Sequence, residues 1–220
     1  MRKAIFFLLF LQLFSCALYA QSEKAAIDLK PFLFGKFIDG MVLMKSGVME
    51  NLPLNYNTDN QSIFFIKDGQ YMEVTGLETI DTVYIQQKRF VPVRNAFYEV
   101  IANAPSATLY ISYTNKARPM VATTDHSGTA KQANNQVSNT VSDVYVSRNF
   151  KGNYNIEISK HFWLEKNNAL HKIDNQKQLL KLYPSSERVA IENYITSNAI
   201  NFNNEMDMIK LFRFCNSQRM

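Results

Sequence analysis

The side chains with most to offer chemistry are three histidines, Cys215 and a scatter of carboxylates. His161 and His171 flank Asn167-Asn168, so a hairpin turning there brings the two imidazoles near each other. With Cys215 or Asp174 beside them they would suggest nucleophilic or metal chemistry, because an adjacent base activates a nucleophile and a third group orients the base. The sequence does not set that register, and strand histidines serve more often at surfaces or interfaces. His126 follows Asp125 in a polar stretch, and two adjacent ligands do not make a metal site. Cys215 ends the run Leu211-Phe212-Arg213-Phe214-Cys215, where a small buried hydrophobe is a better reading than a reactive thiol.

Other signatures are missing. The sequence has no Gly-rich phosphate loop, no Gly-x-Ser-x-Gly, no His-Glu-x-x-His and no paired-cysteine metal spacing. Asp39, Asp68 and Asp81 fall at turns or strand starts, where Asp serves backbone geometry. No catalytic, cofactor-binding or metal residue is therefore assigned. Aromatic residues are the one surplus, and most alternate along strand-like segments as core residues do. Tyr56, Tyr71, Tyr110 and Tyr113 are candidates for a binding face, since tyrosine is stiff and amphipathic, although core use is the stronger reading.

The chain starts with Arg2 and Lys3, then an apolar run from Ala4 to Phe14 broken only by Gln12, then Ser15 to Ala20. A basic start, a short apolar stretch and a small residue before polar sequence make a secretory signal. A membrane anchor needs about 20 consecutive apolar residues, and this run is shorter. Cleavage after Ala20 leaves residues 21–220. Leu13-Phe14-Ser15-Cys16 also resembles a lipoprotein box, which would make Cys16 an acylated anchor, but Phe14 is bulky for it, and soluble export ranks higher. The expected location is periplasmic or extracellular, with outer-membrane association as a variant.

Without Arg2 and Lys3, the 24 basic residues fall to 22 against 19 acidic ones, a net +3. The densest basic group, Lys88-Arg89 with Arg94, sits in an expected strand, and a nucleic-acid binder concentrates Lys and Arg on one face. Nucleic acid is not an expected partner. No later segment approaches a membrane span.

The elements that must position these groups are mostly strands. Ile38–Met44 and Val48–Tyr56 flank the turn Lys45-Ser46-Gly47, and Ser62–Lys67 and Gln70–Val74 flank Asp68-Gly69, a strong hairpin signal. Thr82–Ile85, Phe90–Val93, Phe97–Ala102 and Thr108–Tyr113 follow, with Pro92 demanding an edge or a bulge. Short turns make these strands antiparallel. From Val121 to Ser147, 13 of 27 residues are Ser, Thr, Asn or Gln, which predicts a mobile polar loop at about 120–147. Strands return at Asn153–Ser159, His161–Lys166 and Ala169–Ile173.

After 173 the period changes. Asp174 caps a helix that Pro184 stops. Ser185 caps a second, with Val189, Ile191, Tyr194 and Ile195 inward, closed by Asn198. Asn203 or Asn204 caps a third, with Met208, Ile209, Leu211, Phe212 and Cys215 on its apolar stripe. The fold class is α+β, mainly β: an antiparallel sandwich or open barrel-like sheet over 21–173, then three short helices over 174–216.

Leu54-Asn55-Tyr56-Asn57, Ile63-Phe64-Phe65, Thr82-Val83-Tyr84-Ile85 and the tail from Lys177 to Pro184 resemble uncharacterised exported β-rich proteins of Bacteroidetes-type bacteria. The resemblance covers about half of residues 21–220. It implies a secreted or periplasmic origin and carries no activity or cofactor. The leading functional expectation is a non-enzymatic envelope module that contacts a protein or glycan. A carrier of a lipid or small apolar ligand and a hydrolase with an unfamiliar site are the alternatives.

Overall fold

A computed structural model describes residues 27–119 and 154–217. Ten strands form one antiparallel sheet: β1 (Ile38–Met44), β2 (Met49–Asn57), β3 (Ser62–Lys67), β4 (Gln70–Glu73), β5 (Ile80–Ile85), β6 (Lys88–Val93), β7 (Ala96–Ala104), β8 (Ala107–Pro119), β9 (Tyr154–Lys166) and β10 (Ala169–Lys172). Their order is β10-β9-β8-β7-β6-β5-β1-β2-β3-β4, so two meanders join where β5 pairs with β1. Of the two architectures the sequence allowed, the open curled sheet is the one observed, a half-barrel followed by three helices.

Turn chemistry explains the tight connections. Asp68 and Gly69 both have positive φ (51° and 68°), as do Asn167 and Asn168 (53° and 59°), the geometry that matches the twist of a two-residue hairpin. Gly40 in β1 has another role: a Cβ there would lie 2.4 Å from the Tyr84 carbonyl oxygen and 2.8 Å from Leu54 Cδ1. Only a residue without a side chain lets β1 sit between its two neighbours.

The alternation of side chains gives the sheet a concave and a convex face. The concave face carries Leu54, Ile63, Val83, Phe90, Ile111 and Leu164, all at most 1 % exposed. Curling brings the β2–β3 end of one meander onto β7 and β8 of the other. Gln61 O accepts from the Phe97 amide (2.8 Å), and the Tyr56 hydroxyl donates to Phe97 O (2.9 Å). Asn115 Nδ2 donates to Thr58 Oγ1 and Asp59 Oδ1, both at 2.7 Å.

Helices α1 (Gln176–Leu180), α2 (Ser185–Ser197) and α3 (Glu205–Ser217) cover the other part of the concave face. Short amphipathic helices need such packing to persist. Met208, Leu211, Phe212 and Cys215 of α3 meet Leu109 and Leu164 of the sheet. Buried Lys166 reaches across to donate to Leu182 O (2.9 Å), with its ammonium 3.4 Å from the centre of the Tyr183 ring.

Several sequence expectations need correction. The two strands expected at 153–166 are one, because β8 pairs with β9 without a break from Ala107↔Lys166 to Pro119↔Tyr154. Pro92 is in an interior strand. The β5–β6 pairing runs only from Ile85↔Lys88 to Val83↔Phe90, so Pro92 lies beyond it and owes β5 no donor. Asn175, one residue later than expected, caps α1 by accepting from the Gln178 amide (3.0 Å). Asp174 instead donates its amide to Gln178 Oε1. Ser185 is the first residue of α2 and its side chain makes no cap bond. Val189 is 64 % exposed, so α2 buries only Ile191 and Ile195. The signal, the Cys16 alternative, Asp125-His126 and the polar loop at 120–147 all fall outside the described residues.

Candidate functional site

The register separates the residues that invited a catalytic reading. His171 pairs with Leu164 on the concave side, whereas His161 pairs with Ser112 and projects from the convex side. Cys215 is buried in the helix–sheet core, 1 % exposed. Only His161 and Asp174 come near one another, with Nδ1 and Oδ1 4.0 Å apart. His161 Nε2 and Thr114 Oγ1 share a 3.0 Å hydrogen bond, so hydroxyl, imidazole and carboxylate fall in a line. That line does not make a relay. A distance of 4.0 Å exceeds hydrogen-bond reach, and Lys172 Nζ holds the other Asp174 oxygen at 3.2 Å. Partial burial, then the Lys172 charge, lowers the His161 pKa, and Asp174 only partly opposes them. Among the described residues, no three of His, Cys, Asp and Glu gather as metal ligands.

A polar cluster that the sequence reading passed over lies inside the trough. Glu99 in β7 is 5 % exposed and occupies a concave position between Phe97 and Ile101. Lys88 Nζ in β6 donates to both its carboxylate oxygens at 2.9 Å and to the Tyr113 hydroxyl at 3.0 Å. The Tyr113 hydroxyl in turn donates to Glu99 Oε2. Tyr56 stands beside them, stacked on Phe90 (5.1 Å) and edge-on to Tyr113 (5.6 Å). Burial raises the pKa of both tyrosines, and Glu99 adds to the effect on Tyr113.

Lys88 thus makes three hydrogen bonds within the cluster, and the Tyr113 hydroxyl both accepts and donates there. The cluster is therefore a closed network, satisfied in itself, and a buried charge needs such partners. It opens onto a depression of about 490 Å³ lined by Gln86, Gln87, Lys88, Glu99 and Glu205. A lone carboxylate in register with apolar inward residues, with a lysine on the preceding strand, was the signal available in the sequence.

The convex face carries a second, separate cluster. Tyr98 of β7, Tyr110 of β8 and Trp163 of β9 run side by side, Tyr98 6.3 Å from Tyr110 and 5.7 Å from Trp163 between ring centres. Polar partners fringe the rings: Trp163 Nε1 donates to Ser112 Oγ (2.9 Å), and the Tyr110 hydroxyl donates to Glu165. Burial first, and then Glu165, pushes the Tyr110 pKa up to about 12. These rings stand apart from the main core, and the helices pack on the opposite face.

Of the four tyrosines considered for a binding face, Tyr56, Tyr110 and Tyr113 are buried, whereas Tyr71 is 42 % exposed. Tyr71 leans on Phe37 (5.3 Å), within a segment strapped over β2. Asn55 holds that strap, donating to Phe34 O (2.8 Å) and Lys36 O (3.1 Å).

No protein-family model matches the chain, and no curated protein or solved structure matches it. Its class is defined by the fold alone, an antiparallel half-barrel with a three-helix cover. No helix among the described residues is long and apolar enough to cross a membrane.

Proposed function

We propose that this chain acts by binding: an exported, non-enzymatic envelope protein whose convex sheet face contacts an envelope protein or glycan. The observation that supports it is partly exposed Trp163, backed by the buried rings of Tyr98 and Tyr110 and fringed by Glu165 and His161. Rings with one polar edge suit contact surfaces, because they offer apolar area and a hydrogen-bonding group together. Export rests on the leader of Arg2 to Ala20, and an acylated Cys16 would fix the same module to a membrane surface. The resemblance to exported Bacteroidetes-type proteins points the same way.

The carrier reading fares less well. The apolar space enclosed between sheet and helices is about 10 Å³, against the roughly 300 Å³ or more that a ligand pocket needs. The hydrolase reading has only the Thr114–His161–Asp174 line, which lacks the contact from Asp174 that would orient the imidazole.

Trp163 is the single tryptophan of the chain and lies in the proposed contact face, so it reports on binding directly. Titration with solubilised envelope proteins and with envelope glycan fragments should shift its emission, and the shift should vanish in Tyr110→Ala. Unchanged emission with every fraction would overturn the reading.

A further inference from the structure

Among the described residues no strand pairs with the outer edge of β4 or of β10, and the two ends are built alike. β4 and β10 are each four residues long, and each follows a two-residue turn with positive φ at both positions. In such a hairpin the pair flanking the turn is hydrogen-bonded and pairs alternate from there. Gln70 and Met72 therefore bond inward to β3, and Val74 continues the pattern by donating its amide to Ile63 O (2.8 Å). The N–H and C=O groups of Tyr71 and Glu73 face outward. At the other end Ala169 and His171 bond to β9, Ile173 donates to Phe162 O (2.9 Å), and Leu170 and Lys172 face outward.

Each edge thus offers two donors and two acceptors at the same spacing. Short length and charged residues usually guard open edges; β4 carries Glu73 and β10 carries Lys172, opposite charges that guard against like edges and suit each other. We infer that β4 of one molecule pairs antiparallel with β10 of a second copy of this chain, extending the sheet head to tail.

Charge selects unlike edges over like ones. Antiparallel pairing sets Tyr71 opposite Lys172 and Glu73 opposite Leu170, with all four side chains on the convex side. Glu73 and Lys172 then become diagonal neighbours, within reach across two strands. Pairing β4 with β4 would place two Glu73 side chains in that relation, and pairing β10 with β10 two Lys172 side chains. The present partners of these groups, Asn60 at 3.3 Å from Glu73 and Asp174 at 3.2 Å from Lys172, are exposed and readily exchanged. A contact between two four-residue strands is small, so association is weak, strengthens with concentration and weakens with salt. Because the contact is head to tail, it builds rings or filaments. The inference does not depend on the convex aromatic row, and each can fail alone.

Directly opposed residues in a hydrogen-bonded pair lie about 5.5 Å apart at Cα, a distance a disulfide spans. In a Cys16→Ser background, Tyr71→Cys and Lys172→Cys proteins are oxidised singly and as an equal mixture. Cys215 is too buried to compete. A covalent dimer in the mixture alone is the expected pattern; in protein carrying neither added cysteine, Glu73→Lys should weaken self-association in sedimentation, and Glu73→Lys with Lys172→Glu should restore it. Dimer from Tyr71→Cys alone would overturn it in favour of like edges. No dimer in the mixture, with circular dichroism unchanged, or one sedimenting species at every concentration of the unaltered protein, would overturn it outright.

Discussion

Phe162 and Trp163 are consecutive in the chain yet belong to different surfaces. Phe162 points into the trough, 3 % exposed, among residues contributed by both meanders and the helices. Trp163 points the other way, into a row of rings drawn only from β7, β8 and β9. The inner face gathers distant parts of the chain and ties off its polar groups in a closed network. The outer face is assembled from neighbouring strands, and its polar bonds are pairwise. The inner face therefore joins the whole chain together, and the outer row is a smaller, local assembly.

The largest effect should separate those two residues. Phe162→Ala is expected to cost about 3–5 kcal/mol in urea unfolding, as truncation of a buried aromatic does. Trp163→Ala should cost about 1–2 kcal/mol, because a partly exposed side chain surrenders less apolar area. Equal losses would erase the distinction between the faces.

Glu99→Gln comes next. It keeps the shape but removes the charge that Lys88 and Tyr113 bond, and should cost about 2 kcal/mol, since Lys88 can still reach some water. Lys88→Met made together with Glu99→Gln should recover part of that loss. A double variant no better than the sum of the singles would show that the network is not coupled.

The smallest effect is read from tyrosine ionisation. Tyr56 and Tyr113 have folded pKa values raised by burial above the ordinary 10, and Tyr110 is pushed up to about 12. Unfolded tyrosines ionise near 10, so the stability these groups contribute is intact below pH 10 and is lost as pH rises from there toward the folded values. Absorbance near 295 nm should show Tyr110 ionising near 12, and Tyr56 and Tyr113 only with unfolding. A single wave centred on 10 with the fold intact would contradict the burial of the inner pair.

Local signals carried far in this sequence, and distant ones did not. Ile38–Met44 and Ser62–Lys67 were readable to the residue, because apolar runs stop at turn residues whose geometry is their own, such as Asp68-Gly69. The three helices were legible from Pro184, Asn198 and the change of period. What stayed hidden depends on partners far along the chain. Whether His161 and His171 share a face is decided by an alternation across the turn that places them three ladder steps out of phase. The Glu99 network needs β6, β7 and β8 in register, although its lone carboxylate among Phe97 and Ile101 was visible. Val189 failed because helical spacing says which residues share a stripe and not how wide a stripe the sheet can cover.

The ladder order also bears on how quickly such a chain finds its shape. Eight of the nine strand pairings join neighbours in sequence, and only β1 with β5 brings together strands that are not consecutive. The pairs joined by tight turns can zip at little cost in loop closure, leaving two distant encounters, β1 with β5 and β8 with β9, to complete the sheet. A polypeptide delivered end first, by a ribosome or through a narrow pore, can begin this assembly before its last residue has arrived.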